Sequence, residues 1–430
     1  MKISVFGLWH LGSVTAACLA RKGFEVTGVD LDLKTVQDLS QGKAPLFEPG
    51  LDDLIAQGIS AGKLRFSADL KAVAQDSDLI WVAFDTPVDE NDQADLPFLK
   101  KRMAQLFAVL KPNTPIVFSS QVPVGFGRSL AASFKRARPK EKLVYCASPE
   151  NLRLGSAIAS FDQAARIIAG TFSPEDRAAF ELLFSAVCPH IEWMSVESAE
   201  MVKHAINSFL ATSIAFTNEL AVLCEKIGAD ARDVERGLKT EPRIGPKAYV
   251  KAGSAFAGGT LARDLHFLVG LAGESKQPAY VLKAVLKSND FHKAWARHQI
   301  ERRSGSLKNR RVSFLGLSYK AGTSATRRSW AIELCQWLTR QGAVVTAYDS
   351  AIKTLTGPAM ARIKLVPSAD QALRQADIVV VGTDDPAFKL LEPRLFKALK
   401  KALVLDANGV LKDALKGEDM PVTYVTVGRP

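Results

Sequence analysis

The sequence predicts an α/β protein of two doubly wound, mostly parallel sheets joined by a long central helix and a small helical domain. Three observations carry this. Short apolar runs alternate with amphipathic stretches over residues 1–195 and again over 301–430, the pattern of strands buried between helices. Over 196–300 the strand signals stop, and Glu197–Ile227, free of Gly and Pro, reads as one helix. Each half also opens on a strand, a glycine turn and a helix: VFGLWHLG near residue 7 and FLGLSYK near residue 316.

The elements follow in order. KISVFGL, FEVTGVD, LIWVAFD, TPIVFSS and KLVYCAS read as buried parallel strands of a first domain, 1–195. The long helix opens a helical domain, 196–300, and Gly228 is its expected stop. After the charged stretch ERRSGSLKNRR, the runs RVSFLGL, AVVTAYD, IVVVGTD and ALVLDAN predict a second sheet within 301–430. A chain of 430 residues is too long for a single core, which agrees with this division.

Bulk properties exclude several classes. No unbroken run of 18 apolar residues occurs, so no membrane span is expected. The start, MKISVFGLWHLG, runs straight into a strand and lacks the pattern of a secretory signal. Five scattered cysteines (Cys18, Cys146, Cys188, Cys224, Cys335) have neither metal-ligand spacing nor an even count, which fits buried thiols in a reducing cytoplasm and no metal site. The net charge of +11 is spread along the chain without a basic, aromatic-interleaved run, so it reads as a solvated surface and not as a nucleic-acid groove.

A cofactor site is expected in the first turn. Gly7 and Gly12 flank it, and Asp30 ends the second strand. Glycines for a tight turn, helix amides for a pyrophosphate and an acid for ribose hydroxyls are the parts of a Rossmann-like dinucleotide site, and an acid favours NAD over NADP. Trp9 stands where the middle glycine of that fingerprint belongs, and an ordinary α/β turn is the competing reading. Thr86, in Asp85-Thr86-Pro87 after the LIWVAF strand, adds a hydroxyl at the sheet edge where ligands bind in such folds.

The remaining motifs resemble the UDP-glucose/GDP-mannose dehydrogenase family along essentially the whole chain. PLFEPGL (45–51), SSQVPVG (119–125) and SPENLRLGSAI (148–158) are similar to three of its segments. So, in order, are Glu200-x-x-Lys203-x-x-x-Asn207, Asn218-Glu219, RIG (243–245), FAGGTLARD (256–264), Lys320 and Arg327-x-Ser329. The resemblance implies NAD as cofactor, a nucleotide-diphosphate sugar as substrate and a homodimer formed through the helical middle. It implies cofactor contacts from Gln121 and Arg327 besides the turn. Substrate contacts fall on Glu150, Arg153, Lys203, Arg243, Tyr249, Gly253, Phe256 and Lys320. Lys203 and Asn207, four apart and so on one helix face, would hold the reacting oxygen, with Asp264 ordering a water that takes the proton.

The likeness breaks at the second half of the family's reaction. The family oxidises an alcohol to an aldehyde, captures it on a cysteine, oxidises again and hydrolyses the thioester. Here the cysteine position is Thr260, whose hydroxyl needs a dedicated base to act as a nucleophile. The hydrolytic glutamate aligns with Leu154, and a water-holding threonine with Gln121. Ala255 and Ala257 replace two glycines of the nucleotide loop, and Arg263 replaces a lysine. The expected activity is therefore one hydride transfer, giving a carbonyl. The alternatives are full four-electron oxidation to a uronic acid, or a silent nucleotide-sugar binder.

Overall fold

The structure is a computed structural model that describes residues 1–87, 94–149, 152–256, 260–319, 321–323, 326, 329–357, 360–417 and 420–429. Contacts divide the chain into two units, Met1–Ala205 and Ile206–Pro430.

The first unit holds an eight-stranded sheet. Its strands are β1 (Lys2–Phe6), β2 (Glu25–Val29), β3 (Leu64–Ser67), β4 (Leu79–Val82), β5 (Ile116–Phe118), β6 (Tyr145–Ala147), β7 (Ile167–Thr171) and β8 (Ile191–Ser195). The order is β3-β2-β1-β4-β5-β6-β7-β8, parallel except for the antiparallel β6–β7 pair. Alternate residues feed two cores. Ile3 and Val5 pack with Val14 and Leu19 on one face, while Phe6 packs with Val82, Phe84 and Leu99 on the other. This two-sided burial explains why β1, β2, β4, β5 and β6 were legible as apolar runs. No run marked β3, β7 or β8; β8 is an edge strand that is only partly buried, so its sequence IEWMS alternates instead of running apolar.

The second unit holds β9 (Arg311–Leu315), β10 (Val344–Tyr348), β11 (Ile363–Leu365), β12 (Ile378–Val381), β13 (Ala402–Leu405) and β14 (Val422–Val425), all parallel, in the order β11-β10-β9-β12-β13-β14. Counted from its own first strand this is 3-2-1-4-5-6, the order of the first six strands of the other sheet and of a dinucleotide-binding fold. In both, the order reverses beside the first strand, so the loops after β1 and β4, or after β9 and β12, flank the switch point where ligands bind.

The predicted long helix runs from Val196 to Ile227. Gly228 ends it at φ +81°, with its amide and that of Ala229 both donating to the Cys224 carbonyl. Its 32 residues include an 18-residue window of mean hydropathy 1.2, so by length and composition this helix is long and apolar enough to cross a membrane, although no unbroken apolar run announces it. Several of its polar groups are met by protein: Glu200 by two backbone amides, Asn218 by the Gly253 amide, and Glu225 by Trp295, Gln299 and Gly428.

Candidate active site

The turn after β1 is shaped for close backbone approach. Gly7 adopts φ +97°, and a Cβ on it would lie 2.7 Å from the Phe84 ring. A Cβ on Gly12 would lie 1.7 Å from the Gly7 carbonyl oxygen. Two glycines are thus required before any ligand is considered. The helix His10–Arg21 starts here, and Trp9, at its N-cap, is half exposed. Asp30 Oδ2 accepts from the Leu8 amide at 2.8 Å, and Oδ1 accepts from the Asp32 amide. The acid therefore braces the turn. First-turn helix amides, the paired glycines and this acid fit a dinucleotide.

Neighbouring loops are tied to that turn. The Thr86 hydroxyl donates to the Gln121 carbonyl at 2.7 Å, joining the edges after β4 and β5. Asp85 Oδ2 accepts from the Leu11 amide at 3.0 Å. Glu48 is buried and bonds to the His10 ring and to the amides of Gly155 and Ala157, so it connects the cofactor turn to the segment bearing Arg153 and Leu154. Glu200 accepts from the amides of Gly125 and Gly127 at 2.6 and 2.8 Å, at the start of helix Phe126–Ala137. Burial pushes its carboxyl up while those amides pull it down. His204, next to Lys203, donates from its ring to the Val122 carbonyl at 2.9 Å.

Asn207 and Asp264 meet between two helices of the second unit. Asp264, fully buried, lies in helix Thr260–Glu274 and accepts a hydrogen bond from the Asn207 carboxamide of the long helix. One of the two Asn207 amide protons is thereby committed to Asp264, and one is left for a ligand oxygen. Lys203 is half-buried one turn before Asn207, and Thr260 is exposed at the start of its helix.

The segment 249–256 is laced by side-chain amides. Asn218 accepts from the Gly253 amide at 2.9 Å, Asn408 accepts from the Ser254 amide at 2.7 Å, and Asn289 bonds both backbone groups of Phe256. A Cβ on Gly253 would lie 2.0 Å from the Asn408 side-chain oxygen, so this glycine makes room for Asn408. The Phe256 ring is buried with Ala211, Ala215, Leu265 and Val285, which makes it a packing residue of the loop. Tyr249 and Arg243 are exposed, and Arg243 pairs with Glu241. Beside the loop lies a cavity of about 730 Å³ whose walls include six cations, Arg232, Arg236, Lys239, Lys251, Lys389 and Lys412, and three carboxylates, Glu235, Asp384 and Asp413, so the cations outnumber the acids. Glu150, Lys320, Arg327, Ala257, Gly258 and Gly259 lie outside the described residues.

His292 closes the lacing by donating from Nε2 to the Gly253 carbonyl at 2.8 Å. Burial holds its pKa below the ordinary value of 6.5. Above that value both folded and unfolded forms are neutral and the fold keeps its full stability. As pH falls below it, the unfolded chain binds the proton first and stability drops until the depressed folded value is passed. The melting temperature is expected to fall as pH drops below about 6.5, and His292→Gln, which keeps a donor, is expected to flatten that fall. An equal fall in both proteins would remove His292 from this role.

Of these supports, Asn289, His292 and Asn408 carried no local sequence signal, because their partners are between 33 and 154 residues away.

The first unit thus carries a turn that fits a dinucleotide, and the second a buried carboxylate paired with a carboxamide. Similarity to known proteins makes the class particular. Residues 1–188 match the NAD binding domain of the UDP-glucose/GDP-mannose dehydrogenase family, 197–291 its central domain and 313–413 its UDP binding domain. UDP-glucose 6-dehydrogenase of Rhizobium meliloti (strain 1021) is 33% identical over 445 residues, covering 100% of both chains. TuaD, a UDP-glucose 6-dehydrogenase of Bacillus subtilis (strain 168), is 31% identical, covering 100% of this chain and 93% of that one. The solved UDP-glucose dehydrogenase of Pyrobaculum islandicum superposes with a TM-score of 0.87 at 26% identity, covering 100% of this chain and 98% of that one. The chain belongs to the UDP-glucose/GDP-mannose dehydrogenase family and is an NAD-dependent oxidoreductase acting on the CH–OH group of a nucleotide sugar.

Proposed function

We propose that the chain oxidises the alcohol of a UDP-sugar to the carbonyl in one two-electron step and releases it there. The observation that carries this reading is position 260, where an exposed threonine hydroxyl opens the helix that bears Asp264. Leu154 and Gln121 stand where the hydrolytic groups would be. NAD, bound at the Gly7–Gly12 turn with Asp30 toward its ribose, supplies the hydride acceptor. Lys203 and the uncommitted Asn207 proton hold the substrate oxygen as it gains charge. Asp264, oriented by Asn207, takes the hydroxyl proton through a water. The UDP-glucose named for the curated relatives supports a UDP-sugar, and the cations around the 730 Å³ cavity suit a diphosphate.

Thr260→Cys tests the missing second half. With sugar nucleotide and NAD, the variant is expected to accumulate a covalent thioester, seen as a mass increase, without multiple-turnover acid release. Rapid release of acid by this single variant would show that hydrolytic groups lie elsewhere and would remove the one-step reading.

The same reading includes a homodimer and a reducing, cytoplasmic setting. Phe209, Phe216 and Leu223, seven residues apart on the long helix, are 70%, 50% and 58% exposed, an apolar stripe suited to a second copy of the helix. All five cysteines are buried and free, as expected where thiols stay reduced.

A further inference from the structure

The loop after β4 puts a carboxylate on the amide cradle itself. The helix His10–Arg21 leaves its first-turn amides without partners inside the helix, and these are the groups that receive a dinucleotide pyrophosphate. Leu11 is the second residue of that helix, and its amide donates to Asp85 Oδ2 at 3.0 Å. Asp85 is exposed and joined to a strand end at the switch point, so its backbone is anchored while its side chain is at the surface. Asp30, the other acid of the turn, is bonded to the Leu8 and Asp32 amides and does not take this position.

We propose that Asp85 is an internal competitor for the pyrophosphate position and sets the affinity for NAD. This rests on NAD binding at the Gly7–Gly12 turn. A carboxylate bonded to the Leu11 amide satisfies the donor that the pyrophosphate needs, so binding requires that bond to break. Once displaced, Asp85 stays on its short tether near two phosphate charges, and at a few ångströms in a partly hydrated site the repulsion is worth about tenfold in affinity. The carboxylate thus weakens NAD binding twice, by occupying the amide and by its charge. A weakly held cofactor is also one that leaves readily after reduction, so Asp85 acts on the release of the dinucleotide as well as on its capture.

The test is calorimetric titration of the full chain and of Asp85→Asn and Asp85→Ala with NAD, and with adenosine, which lacks the diphosphate. Asparagine keeps an oxygen for the Leu11 amide but removes the charge; alanine removes both. Asp85→Asn is expected to bind NAD about tenfold more tightly and Asp85→Ala more tightly still, with adenosine affinity unchanged and melting temperatures close to that of the parent. The gain is expected to shrink in about 1 M salt, where the screening length is about 3 Å. Unchanged or weaker NAD binding in the variants, with NAD still bound by the parent, overturns the competitor role alone. Equal gains for adenosine and NAD also overturn it, because they point to reshaping of the pocket and not to the diphosphate. If neither parent nor variants bind NAD, the cofactor assignment to this turn falls together with the proposal.

Discussion

Replacing Lys203 with alanine is expected to lower kcat by roughly 100-fold or more while KM moves far less. Lys203 sits one helical turn from Asn207, whose carboxamide is bonded to the fully buried Asp264. Positive charge at this place matters most when the substrate hydroxyl becomes an oxyanion, so its loss should appear in the transition state and not in ground-state binding. Asp264→Asn should also slow turnover strongly, because a carboxamide cannot take the proton that the water passes on. The two variants separate chemistry from binding: steady-state kinetics should show the loss in kcat, and titration with sugar nucleotide should show near-parental affinity. A large rise in KM at constant kcat would make Lys203 a binding group only.

Gly12→Ala is expected to be the most damaging small substitution in the first unit. The added Cβ would meet the Gly7 carbonyl oxygen at 1.7 Å, and both are backbone positions with no side chain to swing away. Helix His10–Arg21 would have to move off β1, and a forced shift of this kind in a packed interior costs about 3 kcal/mol. For a unit of 205 residues that corresponds to a melting temperature lower by roughly 6–12 °C. NAD affinity should fall with it, since the same turn supplies the cradle. A variant with parental stability and weakened NAD binding would mean that the glycine serves the ligand alone. Parental values for both would contradict the geometry.

The sequence was most legible where both faces of a strand are buried, and less so elsewhere. KISVF and LIWV are continuous apolar runs because two cores claim their alternate residues. LRFS and IKL lie at the outer edges of their sheets, are short, and carry no such pattern. The candidate site residues Gly7, Gly12, Asp30, Lys203, Asn207 and Asp264 were proposed from local motifs and from family likeness. Some of their supports were not. Asn408 reaches Ser254 across 154 residues by no local pattern, and although Glu48 lies in the PLFEPGL motif, its contact with Ala157, 109 residues away, is made by folding. Asp30 shows how one acid carries two readings. In the second unit Asp349, at the end of β10, accepts from the Leu317 and Ser318 amides in the same manner. An acid at the end of a second strand thus serves the turn before it serves a ribose. Gly253 carries a second reading besides the expected ligand approach, since a close neighbour it admits is Asn408.

The most direct measurement is the ratio of NADH formed to UDP-sugar consumed, taken with the mass of the sugar product. One NADH per sugar, with a product two hydrogens lighter than the substrate, is the expected result for a site with Thr260, Leu154 and Gln121 in place of the thioester machinery. Two NADH per sugar with a uronic acid as product would contradict it, and would require a hydrolytic device that these residues do not provide.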